Sequence, residues 1–128
     1  MSSVNIDNKI VMYIGNNESF ELEVTDEDDI AVPITDAEII FSVKEDFTDE
    51  EYIFQRKNSF AGGGDDEIKI TDGGNGLAEI YLVPDNTKDL LAGTYVYDVW
   101  VKLTSGIEKT VVQNRLFLED SVKKPVWL

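Results

Sequence analysis

The fold is decided by residues 84–104, Pro-Asp-Asn-Thr-Lys-Asp-Leu-Leu-Ala-Gly-Thr-Tyr-Val-Tyr-Asp-Val-Trp-Val-Lys-Leu-Thr. Tyr95, Tyr97, Val99, Val101 and Leu103 recur at period two, so a strand here turns all five to one face. A short helical turn is expected over 85–91, crossing between layers, with Gly93 turning the chain into the strand. Many β-sandwiches enter a central strand this way, through a Leu-x-Gly corner followed by tyrosine. The phenol hydroxyl ties the corner backbone down while the ring fills the core. Leu91, Gly93, Tyr95 and Tyr97 are therefore the corner residues, and either tyrosine can supply the hydroxyl.

Upstream, Lys9 to Ile14 reads as a strand ended by Gly15-Asn16-Asn17. Glu18 to Thr25 alternates, with Phe20, Leu22 and Val24 inward and Ser19, Glu21, Glu23 and Thr25 outward. An acidic turn, Asp26 to Asp29, precedes a third strand with Ala37, Ile39, Phe41 and Val43 inward. Tyr52 to Lys57, Ile68 to Ile70 and Leu77 to Val83 supply three more, the last two as a hairpin around Asp72-Gly73-Gly74-Asn75-Gly76. Downstream, Thr104-Ser105-Gly106 is a tight turn into a final strand reaching about Glu119, with Thr110, Val112, Leu116 and Leu118 inward. The pattern predicts an all-β fold, an antiparallel β-sandwich of about 7–9 strands with one short helical turn. The expected organisation is one domain over 1–128, with a flexible arm at 1–8 and a C-terminal tail at 120–128.

Composition narrows the function. The chain has 128 residues, 42% hydrophobic and 29% charged, ordinary values for a domain with a real core. Neither cysteine nor histidine occurs, which excludes disulfides, thiol catalysis, a Ser-His-Asp triad and any Cys- or His-ligated metal within the chain. Net charge is −15, from 26 acidic and 11 basic residues, and such a surface repels phosphate backbones and anionic lipid. Neither nucleic acid nor membrane is an expected partner. No signal-peptide pattern opens the sequence.

Carboxylates are plentiful, but nothing in the pattern sets two of them in an apolar cleft as glycosidase chemistry requires. Asp65, Asp66, Asp72 and Asn75 lie around two glycine-rich turns and offer hard oxygen ligands of the kind calcium takes, without EF-hand spacing. They carry the alternative reading, a carbohydrate- or calcium-binding module. Gly62-Gly63-Gly64 and Gly73-Gly74-Asn75-Gly76 lack the phosphate-loop pattern and are flanked by acids, so they read as turns. No cofactor is implied.

More telling are apolar residues at outward positions. Val96 and Trp100 lie opposite the tyrosine face, and Val111 and Phe117 face outward if Leu116 and Leu118 face in. Paired around Gly106, these four form a patch of the kind that marks a protein contact. The patch leaves a homo-oligomer open; the competing reading is that Val126-Trp127-Leu128 covers it.

Several segments together resemble a known family. Val83-Pro84-Asp85-Asn86-Thr87, Leu90 to Val99, the Gly106–Thr110 hairpin and Leu116-x-Leu118 are similar to the immunoglobulin-like N-terminal domain of tailed-phage baseplate upper proteins (the BppU type). Gly15 to Val24 and Val32 to Lys44 agree more loosely. Asn114 and Ala92 depart from the pattern, at positions where glycine and proline are preferred. The resemblance implies an immunoglobulin-like sandwich that is not an enzyme. Its implied role is structural, in the assembly of a phage or prophage tail or baseplate, docking on other tail and baseplate proteins. The expected location is the virion, after synthesis in bacterial cytoplasm. Further domains follow in such proteins, so a receptor-binding module is expected to be absent or on a separate chain.

Overall fold

The computed structural model describes residues 9–120 and the short strand Ser2–Ser3. Ser2–Ser3 (β1) is followed by Ile10–Tyr13 (β2), Glu18–Thr25 (β3), Glu38–Lys44 (β4), Phe54–Lys57 (β5), Ile68–Asp72 (β6) and Leu77–Leu82 (β7). One helical turn, Pro84–Thr87 (α1), then leads to Gly93–Lys102 (β8) and Glu108–Glu119 (β9). A four-stranded sheet, β1-β3-β7-β6, packs on a five-stranded one, β2-β9-β8-β4-β5. This is the order of an immunoglobulin-like β-sandwich. The long strands β8 and β9 form the central hairpin, closed by Gly106 at φ +94, where the Gly106 amide donates to the Leu103 carbonyl at 2.8 Å.

The core lies between the sheets. Leu22 and Val24 of β3 and Ala78, Ile80 and Leu82 of β7 meet Ile39, Phe41 and Val43 of β4 and Tyr97, Val99 and Val101 of β8. Alternation puts them there, because each strand carries apolar side chains at every second position. Phe41 is fully buried, with the Tyr97 ring at 5.3 Å and the Phe54 ring at 6.4 Å. Burial pushes the Tyr97 hydroxyl up to about 12. Gly76 passes so close to β3 that an added Cβ would stand 2.5 Å from the Val24 carbonyl oxygen, so the four-stranded sheet needs glycine there.

Four expectations need correction. Ser2–Ser3 pairs antiparallel with Val24–Thr25 and is not part of a loose arm. The rest of that arm and residues 121–128, including Val126-Trp127-Leu128, lie outside the described residues. The sandwich is not wholly antiparallel, since β2 runs parallel to β9 with Val11 beside Phe117. The helical turn covers only Pro84–Thr87.

The fourth correction concerns Val111, which belongs to the core and not to the outer face. Val99 pairs with Val112 and Trp100 with Thr110, so Val111 is the extra residue of a β-bulge. Val111 and Val112 are therefore buried side by side, and Thr110 turns outward and is exposed. Strict alternation cannot anticipate an inserted residue.

Candidate functional site

Tyr95 makes the corner hydrogen bond. Its hydroxyl donates to the Leu91 carbonyl at 2.7 Å, and its ring packs against the edge of the core. Leu91 lends only its backbone, because its side chain is 82% exposed. Beneath the corner, Thr87 is fully buried and its hydroxyl accepts the Gly15 amide at 2.9 Å, pinning α1 to the turn between β2 and β3. Asn86 accepts the Val83 amide at 2.8 Å and starts that turn. The Pro-Asp-Asn-Thr run and the tyrosine thus build scaffold.

The outer face of the five-stranded sheet is the candidate interface. Strand register arranges its side chains in rows across β9, β8 and β4. Phe117 stands beside Thr94, and with Val11 on β2; Arg115, Val96 and Lys44 form the next row. Gln113, Asp98 and Ser42 follow, then Thr110, Trp100 and Ile40, and last Glu108, Lys102 and Glu38. Val96, Trp100 and Phe117 therefore share this face as expected, and Val111 does not. Val96 is 5% exposed although it stands outside the core cluster. In register it lies between Lys44 and Arg115. Trp100, Phe117 and Ile40 are half-buried, while Val11 and Tyr13 are exposed.

Val11, Tyr13 and Ile40 are the members that sequence reasoning misses. The alternation of β2 and β4 contains them, but only the pairing of β2 with β9 and of β4 with β8 brings them to Phe117 and Trp100. Burial raises the pKa of Asp98 in the middle of the face, against an opposing effect from the Lys44 charge.

The four oxygen-bearing residues weighed for calcium do not converge. Asp65 and Asp66 precede β6 and border an open depression of about 510 Å³ with Glu18 and Tyr81. Asp72 closes the other end of β6, where its carboxylate accepts from the Asn75 amide at 2.8 Å. Among the described residues no group of three or more acidic side chains is placed to hold a metal ion. The Glu79 carboxylate takes the Tyr81 hydroxyl at 2.9 Å, and that bond raises the phenol pKa. The acidic turn is likewise organised from within, Asp26 accepting the amides of Asp28 and Ile30.

No protein-family model matches the chain, and no curated protein matches it in sequence. Among solved structures, murine CRIg aligns at 13% identity and a TM-score of 0.36, over 88% of this chain and 92% of that one.

Proposed function

We propose that the protein is a non-enzymatic structural and assembly component of a phage or prophage tail or baseplate, acting through protein–protein contacts. The observation that carries the docking role is the outer face of the five-stranded sheet, where Val11, Ile40, Val96, Trp100 and Phe117 are brought together. Aromatic anchors and arginine are what the centre of a protein contact uses, and this face offers Trp100, Phe117 and Arg115. The tail or baseplate context rests on the resemblance of residues 83–99 and 106–118 to baseplate upper proteins. On this reading the partners are other tail and baseplate proteins, and the place of action is the virion.

The test is a double substitution, Trp100→Ser with Phe117→Ser. The domain should keep its β-rich circular dichroism and lose at least tenfold in affinity, either for itself or for tail and baseplate proteins of the same phage. Unchanged self-association together with unchanged binding to those proteins would refute the reading.

A further inference from the structure

Charges on the outer face of the five-stranded sheet are ordered along the strands. On β4, Lys44 stands at one end and Glu38 at the other; on β9, Glu108 opens the strand and Arg115 lies short of its far end at Glu119. Through the Val96 and Trp100 pairings, Lys44 and Arg115 share one row and Glu38 and Glu108 another, with Lys102 between the two acids. The half-buried Ile40 and Trp100 lie between these rows.

We propose that this face pairs with the same face of a second copy, about a two-fold axis perpendicular to the strands and lying between the Asp98–Ser42 and Trp100–Ile40 rows. That axis sets Lys44 opposite the second copy's Glu38 and Arg115 opposite its Glu108, twice each. Val96 then meets the stem of the second copy's Lys102, and Trp100 meets its Asp98. An axis parallel to the strands would instead set the Lys44–Arg115 row against itself, and like charges forbid it. The ordering also argues against a uniformly acidic partner, because Glu38, Asp98 and Glu108 would repel it. Sheets packed face to face stay within about 30° of alignment, which keeps the rows in reach. This pairing rests on the docking role assigned to the face above, and it names the occupant.

The test uses the full chain and light scattering coupled to size exclusion across protein concentration. The wild type should form a dimer. Lys44→Glu alone and Glu38→Lys alone should each raise the dimer dissociation constant at least tenfold, while melting temperatures confirm folded monomers. An equimolar mixture of the two variants should recover the dimer, because each mixed pair restores opposite charges at both contacts. A wild-type monomer at every concentration, or a mixture no more associated than its parts, overturns the pairing. If Trp100→Ser with Phe117→Ser still abolishes binding to tail proteins in that case, the docking role stands without self-pairing. If that double variant changes nothing, both fall.

Discussion

On the four-stranded sheet, the outward positions hold Glu21, Glu23 and Glu79 with Lys69, and Glu21 lies directly across from Glu79. On the five-stranded sheet the same outward positions hold Val96, Trp100, Ile40 and Phe117, with Lys44 and Arg115 in one row and Glu38 and Glu108 in another. Both faces are built on one core by strands of the same period. The difference therefore comes from which side chains the outward half of the pattern carries. One face is made to stay in water: like charges opposed across a strand pair weaken the sheet slightly and discourage a close neighbour. The other leaves large apolar side chains half-covered, which a free domain gains nothing by doing.

The comparison breaks most sharply at Val111 and Phe117. Both lie on β9, and strict alternation makes both outward, yet the bulge buries only Val111. Val111→Asp should destabilise the domain by about 3–5 kcal/mol, because an unpaired charge enters the core. Phe117→Asp should cost about 1 kcal/mol or less in the isolated domain, as a change on an outer face does. Urea melts of the two variants decide it. Equal costs would mean that the two positions face the same way.

That pair of residues also separates what a single strand announces from what only strand pairing creates. Periodicity marks the core strands, because Leu22, Val24, Ile39, Phe41, Val43, Tyr97 and Val99 declare their face every second residue. The corner is legible too, since Leu91, Gly93 and Tyr95 carry a local hydrogen-bonding logic. Two kinds of feature are not. The bulge at Val111 is a property of the pairing with Val99 and Trp100, not of β9 alone. The full outer face needs the partners of each strand, and only these add Val11 and Ile40 and order Lys44 and Arg115 against Glu38 and Glu108. Asn58 is a further case. It is buried between the amides of Ile39 and Ala61, which it accepts, and the Ala37 carbonyl, to which it donates at 2.7 Å. In sequence it stands in a polar loop with nothing to mark it.

A smaller effect sharpens the other side of the comparison. Glu21→Lys replaces the like-charge contact with Glu79 by an attractive one, and should stabilise the domain by about 0.2–1 kcal/mol. The gain should shrink as salt rises, and self-association should not change, because Glu21 lies on the opposite sheet. If Glu21→Lys weakens the dimer as strongly as Lys44→Glu, the two faces are not distinct in the way described.

The smallest expected effect sits at the centre of the five-stranded face, at Asp98. Burial raises its pKa more than the Lys44 charge lowers it, so the folded domain holds the proton to higher pH than the unfolded chain does. The contribution of a group with that sign is complete below the unfolded value of about 3.9 and is lost as pH rises through the folded pKa. At neutral pH the ionised carboxylate is thus a small cost carried by the face, and Asp98→Asn removes it without changing shape. Melting temperatures of the monomer should be higher for Asp98→Asn than for the wild type at pH 7, with the difference closing towards pH 3. A lower melting temperature at pH 7 would mean that attraction to Lys44 outweighs desolvation. The middle of this face would then be stabilised by charge, as a surface facing water is.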